Sequence, residues 1–135
     1  MAYLLDTNTI SEWRKPAPNP GLVSWLESAR REQLYISVLT HGEIRRGIEL
    51  LRRRDHTQAE VIEKWWTELV ATFTTRTIGV DSEIADRWGR LNAIHPAPHI
   101  DGLLAATALV RGWTLVTRNV DEVARTGVKV LNPFS

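Results

Sequence analysis

Residues 3–10, Tyr-Leu-Leu-Asp-Thr-Asn-Thr-Ile, are the stretch whose reading decides the fold. The apolar run Tyr3-Leu4-Leu5 stops at Asp6. Thr7, Asn8 and Thr9 follow, all residue types that cap helices or shape turns. The pattern predicts a buried strand that ends at a carboxylate and turns at once into a helix. In an open α/β sheet, ligands sit outside the carboxyl ends of the strands. Asp6 is thereby expected at the rim of a low-dielectric core. The reading then turns on whether other acidic groups reach the same rim.

Outward from this start, strand-like and helix-like segments alternate. A short helix over Thr9–Arg14 stops before Pro16, and Pro20 suits the first position of a helix running to about Ala29. Leu34–Ser37 is a second strand. It is followed by a helix to about Arg53 with Ile44, Ile48 and Leu51 as its apolar stripe and Ser37 or Thr40 as its cap. Arg52–His56 turns the chain into a helix over about Thr57–Ala71, striped by Val61, Trp65 and Leu69 with Ile62 and Trp66 alongside, so that these two helices form an αα-hairpin. Thr77–Val80 is a weaker strand. Asp81 or Ser82 caps a helix to about Ile94 with Ile84, Ala85, Trp88 and Leu91 inward. After the loop His95–His99 come a small, apolar helix over Ile100–Arg111 stopped by Gly112, the strand Trp113–Thr117, one or two helical turns from Asp121, and a last strand over Val128–Leu131. Strands alternating with helices imply a parallel sheet covered on both faces. The expected fold is a three-layer α/β/α sandwich of about five strands, with residues 1–135 forming one domain.

Composition narrows the function classes. The chain has 135 residues, 43% hydrophobic and 24% charged, which is ordinary for a globular domain. No apolar run is long enough to span a membrane and no signal-peptide pattern opens the chain, so a cytoplasmic location without membrane partners is expected. With 0 Cys there is neither a disulfide framework nor a thiolate metal site. A net charge of +1 announces no global attraction to nucleic acid, so any polyanion surface has to be a local patch. There is no Gly-rich phosphate loop.

The acids carry the functional argument. Right-handed crossovers put every strand's carboxyl end on one edge. Asp6 lies at the end of the first strand. Glu43 lies early in the helix after the second, and Asn119, Asp121 and Glu122 lie just beyond the fourth. Asp101 opens a helix so apolar that its carboxylate is not expected to point freely into solvent, and the helix dipole favours it there. Two unit charges ~4 Å apart repel by about 4 kcal/mol at an effective dielectric of ~20, so a cluster of carboxylates asks for a cation. Oxygen donors without Cys suit Mg²⁺ or Mn²⁺. Such ions activate water and neutralise phosphate charge, which is the chemistry of phosphodiester hydrolysis.

The motifs LLDTN with SEW, SVLTHGEIRRG, DGLLAATA, LVTRN and a closing VKVLNPF occur in order along nearly the whole chain. Together they resemble the PIN-domain ribonucleases, in particular the VapC/FitB-type toxins of bacterial toxin–antitoxin pairs. The resemblance puts the family's three acids on Asp6, Glu43 and Asp101, which are the expected ligands of Mg²⁺ or Mn²⁺. It puts supporting hydroxyls on Thr7 and Thr40, an amide on Asn8, and on Gly47 a small residue that lets the Glu43 helix pack closely. The family's fourth acidic position departs here: it reads Asn119, with Asp121 and Glu122 nearby to supply charge, which implies one tight ion and a weaker second. Asp6, Glu43, Asp101, Asn119 and Glu122 are the expected catalytic set. The resemblance further implies an RNA substrate, an antitoxin partner, a homodimer, larger toxin–antitoxin complexes, and contact with DNA only through the antitoxin.

Other features carry blander readings. His95 and His99 are expected in a loop, and His41 points away from Glu43. Arg45, Arg46, Arg52, Arg53 and Arg54 form a solvated face with a possible second role toward RNA or an antitoxin, and Arg118 is the better phosphate candidate. Trp13, Trp65 and Trp66 are offered as apolar surface for a partner. Two competing readings stand beside the nuclease: a phospho-receiver-like signalling domain, and a PIN-like domain that binds RNA or a partner without cutting.

Overall fold

The computed structural model describes all residues, Met1–Ser135. Its centre is a five-stranded sheet in the order β3-β2-β1-β4-β5, every pairing parallel. The strands are β1 (Tyr3–Leu5), β2 (Leu34–Ser37), β3 (Thr77–Ile78), β4 (Thr114–Val116) and β5 (Val130–Leu131). Seven α-helices surround them: α1 (Thr7–Trp13), α2 (Pro20–Ser28), α3 (Val38–Arg52), α4 (His56–Thr72), α5 (Ser82–Ile94), α6 (His99–Arg111) and α7 (Val120–Val123). The expected three-layer architecture is the observed one. A receiver-like sheet would run 2-1-3-4-5; the order found here is different, which removes the signalling reading.

The period-2 alternation of the strands builds two cores. Leu5, Ile36 and Val116 face one side, where α1, α3 and α4 supply Ile10, Ile44, Ile48, Ala59 and Trp66. Leu4 and Leu115 face the other, against Leu104, Ala105 and Ala108 of α6 and Val123 of α7. Burying a side chain of this size contributes roughly 1.5–3 kcal/mol, so the two sheet faces are the main source of stability. The small residues of α6 bring its backbone close to the sheet, and Gly112 at φ 71 closes the helix in the left-handed conformation that glycine adopts without strain.

Several local expectations are corrected. Helix α1 begins at Thr7, not Thr9, because the Asp6 carboxylate itself caps it, accepting from the Thr9 N–H at 2.8 Å. On α4 Trp65, Leu69 and Ile62 pack against the core as expected and Ala59 and Trp66 are fully buried, but Val61 is 58% exposed and leaves the stripe. Ala85 is exposed on α5, where Ile84 alone is fully buried. On α4 the pairs Val61-Ile62 and Trp65-Trp66 leave the phase of the helix open, and the neighbouring α3, which sequence periodicity does not see, decides it.

The α3–α4 hairpin is tied across its outer face by ions. Arg45 and Arg52 both reach Glu63, and Arg52 also pairs with Glu49 and Glu60. The guanidiniums beside Glu49 and Glu63 hold both carboxyls below the usual range. No helix of the chain is long and apolar enough to cross a membrane.

Candidate active site

The strand order explains where a site forms. Going outward from β1, the chain first adds β2 and β3 on one side and then β4 and β5 on the other. The sheet therefore has its switch point between β1 and β4, and a crevice opens outside their carboxyl ends. Asp6 leaves β1 and Asn119 leaves β4 at that crevice. Asp6 is nearly buried, its N–H donating to the Val116 carbonyl at 3.1 Å, so the strand pair fixes its backbone.

Glu43 arrives from the next crossover. The Ser37 hydroxyl caps α3, accepting from the Leu39 N–H at 3.0 Å, and the helix then carries Thr40 and Glu43 on successive turns toward α1. The Thr7 hydroxyl donates to the Glu43 carboxylate and lies 3.2 Å from the Thr40 hydroxyl. Asp101 comes from the opposite layer, in the first turn of α6. Gly102 beside it has no side chain to hold the helix off: a Cβ there would come within 3.1 Å of the Trp88 ring of α5. Asn119 is held by its backbone, whose N–H donates to the Thr117 hydroxyl at 2.9 Å.

These side chains line one cavity of ≈ 180 Å³: Asp6, Thr7, Asn8, Glu43, Asp101 and Asn119, none of them hydrophobic. Asp101 records the crowding of charge. Its carboxyl is pushed up from 3.8 to about 6, first by burial, then by Glu122 against it, then by the charges of Asp6 and Glu43. The helix N-terminus works the other way and is outweighed.

The remaining expected residues fall in different places. Glu122 reaches Asp101 from α7, but both Asp121 and Glu122 line a neighbouring cleft with His95, Pro96, Pro98 and Arg125 and neither lines the acidic cavity itself. His41 packs on Trp66 and His99 lies against Trp88; neither enters the cavity. Gly47 does not provide a close approach, since a Cβ on it would meet nothing; it lies in an open groove. Trp66 is buried in the core and offers no surface, whereas Trp13 and Trp65 line a cleft between α1 and α4. Arg45 and Arg52 are engaged by glutamates, which leaves Arg46, Arg53 and Arg54 outside the ion-pair lattice.

Two residues were missed, Ser11 and Arg14: with Thr7 they form a polar stripe along α1, and with Arg54 and Trp65 they line a groove of ≈ 230 Å³ that opens on Glu43. Their spacing at i, i+4 and i+7 was the available signal.

All the cavity's donors are oxygens, and carboxylates that raise one another's proton affinity gain most from a hard cation. As the side chains lie, no three His, Asp or Glu groups stand in a ready-made chelating arrangement: Glu43 is drawn onto Thr7 and Asp101 onto Glu122. The residues fit the ion by type and location, with side-chain rotation left to close the set.

Known proteins match this fold and this motif order. The model of the PIN domain family matches residues 3–129. The toxin FitB of Neisseria gonorrhoeae is 32% identical, with 97% of each chain covered. A VapC ribonuclease, Y4jK, of Sinorhizobium fredii is 27% identical over 97% of this chain and 96% of its own. Among solved structures, that of FitAB bound to a DNA fragment superposes with a TM-score of 0.87 at 32% identity, covering 98% of this chain and 96% of that one.

Proposed function

The chain belongs to the PIN domain family, and on that premise we propose that it is a divalent-metal-dependent endoribonuclease, the toxin of a toxin–antitoxin pair. The observation that carries the reading is the meeting of Asp6, Glu43 and Asp101, from three separate elements, in one cavity without a hydrophobic wall. The names of the relatives support it: one is a ribonuclease and one a toxin. Asp6, Glu43 and Asp101 would hold Mg²⁺ or Mn²⁺, with the Asn119 carbonyl oxygen as a neutral fourth donor. When bound, such an ion lowers the pKa of a coordinated water and offsets phosphate charge.

The chain's own groups do the rest. Asp6 is fixed by its cap and by β4, so one of its oxygens serves the helix and the other faces the cavity. The Thr7 hydroxyl orients Glu43. Burial, and the Glu122 carboxyl against it, push the Asp101 carboxyl up to about 6, so a cation that loads the site takes the place of a proton held at Asp101. A chain-end phosphate leaving the cavity meets repulsion from the same acids.

The partner is an antitoxin segment lying over the cleft of Trp13 and Trp65, with larger assemblies on DNA through that partner, by analogy with FitAB bound to a DNA fragment. A homodimer is part of the same proposal. Binding without cutting remains the second reading, favoured by Asn119 at the fourth position and by the absence of a pre-closed chelate.

Single-stranded RNA incubated with Mg²⁺ or Mn²⁺ separates the two. The nuclease reading expects internal cleavage, loss of it with chelator, and a fall of roughly 10²-fold or more in Asp6→Asn. RNA bound but left intact at every metal concentration would support the second reading instead.

A further inference from the structure

The last residues form a strap whose contacts end on a cation at the rim of the acidic cavity. Asn19, the cap of α2, accepts from the Ser135 N–H at 2.9 Å and from the Leu22 N–H at 3.2 Å, and its amide donates to the Ser135 carbonyl at 3.1 Å. The Gly21 N–H donates to the Ser135 hydroxyl at 3.2 Å. The fit leaves no room for a side chain at position 21, where a Cβ would stand 2.5 Å from the Pro133 carbonyl oxygen. Held this way, Phe134 lies under Arg118, whose guanidinium carbon is 4.3 Å from the ring centroid.

Arg118 is distinguished by where it stands. Like Arg46, Arg53 and Arg54, it takes part in none of the ion pairs of the chain. Its neighbour in sequence, Asn119, lines the cavity. On the α1 side Glu12, one turn beyond the cavity residue Asn8, is already engaged by Lys15 at 2.9 Å. A guanidinium stacked on a ring keeps its N–H edges free for an oxyanion. A polyanion entering a cavity of carboxylates needs such a cation at the rim, because the cavity itself repels every phosphate except one bridged by a cation.

We infer that Arg118, held over Phe134 by the strap of residues 132–135, binds an RNA phosphate flanking the one at the acidic cavity, and that Phe134 is its positioning residue. This rests on the nuclease reading and adds to it a second contact on the substrate strand. Phe134 fixes the direction of the guanidinium, so the aromatic ring contributes to RNA affinity without touching RNA.

The test uses the full chain in an Asp6→Asn background, which keeps RNA intact, with fluorescence anisotropy of a short single-stranded RNA across a range of NaCl. Arg118→Ala is expected to lower affinity roughly tenfold and to reduce the slope of log K against log salt by about 0.7, the loss of one phosphate contact on a single strand. Arg118→Lys should restore the slope but only part of the affinity. Phe134→Ala should weaken binding with the slope kept, and Phe134→Tyr should restore it; thermal unfolding of each variant checks the fold, and Arg118→Ala carries the test if Phe134→Ala does not fold. If the Asp6→Asn chain binds RNA and Arg118→Ala changes neither affinity nor slope, the inference is overturned while the nuclease reading stands. Loss of partner-protein binding in Arg118→Ala with RNA binding unchanged overturns it equally. If the native chain neither binds nor cuts RNA, both fall together.

Discussion

Asp6 shows how a structural and a chemical role coexist in one side chain. Its carboxylate caps α1 and also lines the cavity. Asn caps helices about as well as Asp, whereas Ala costs about 1 kcal/mol at such a position. Asp6→Asn should therefore keep the unfolding free energy within about 0.5 kcal/mol of the native chain while losing metal-dependent activity, and Asp6→Ala should lose both, by chemical denaturation and RNA cleavage side by side. Asp101 makes a second residue-scale prediction. Its carboxyl titrates near about 6 in the folded chain against an ordinary 3.8, so between those values the folded state binds more protons than the unfolded one. Stability of the metal-free protein then falls as pH rises through that window. Asp101→Asn should remove the penalty: more stable than native above about pH 6, with the difference closing below about pH 4, read from urea titrations at several pH values. Ion binding has the opposite dependence, because it needs the carboxylate; below about pH 6 the apparent affinity should drop about tenfold per unit.

At the scale of elements, the sequence was read well where a cue is local and poorly where a neighbour decides. Proline at 20, glycine at 112 and the caps at Asn19, Ser37 and Asp81 set helix ends that the structure keeps. On α4 the adjacent Trp65 and Trp66 are equally apolar and both pack on the core, and only packing on the neighbouring α3 decides that Trp66 is the one fully buried and Val61 the one turned out. Trp66→Ala should cost about 3–5 kcal/mol, and Val61→Ala less than about 0.5, in the same denaturation assay. Helix α6 carries the converse case. Its small residues were legible as a face packed tightly on the sheet, but the pressure of Gly102 on Trp88 was not, since it depends on how α5 crosses. Gly102→Ala should shift Trp88 and move the first turn of α6 that presents Asp101. Its signature is a changed Trp fluorescence together with weakened metal binding, while a change in neither would mean that the crossing has slack.

At the scale of the molecule, the topology does the assembling. Four residues scattered between positions 6 and 119 meet because the strand order reverses between β1 and β4. The chain order of the acids and their shared edge were readable from the crossover rule; the side-chain geometry within the cavity was not, because spacing along a sequence does not fix how the helices carrying Glu43 and Asp101 pack. Asp121 and Glu122 sit in one short helix and line one neighbouring cleft, and only the contact with Asp101 of α6, which the local sequence does not show, singles out Glu122. A cation that links three elements should stabilise the whole fold. At ~100 times its dissociation constant Mn²⁺ is expected to add roughly 2.7 kcal/mol to the unfolding free energy, with no gain in a variant that cannot bind it.

The central claim is that Asp6, Glu43 and Asp101 act together on one divalent ion. Calorimetric titration of Mn²⁺ into the native chain and into Asp6→Asn, Glu43→Gln and Asp101→Asn tests it most directly. The account predicts one dominant binding event in the native chain, greatly weakened in each of the three variants. Absence of binding in the native chain, or native affinity kept when any one of the three acids is neutralised, would contradict it.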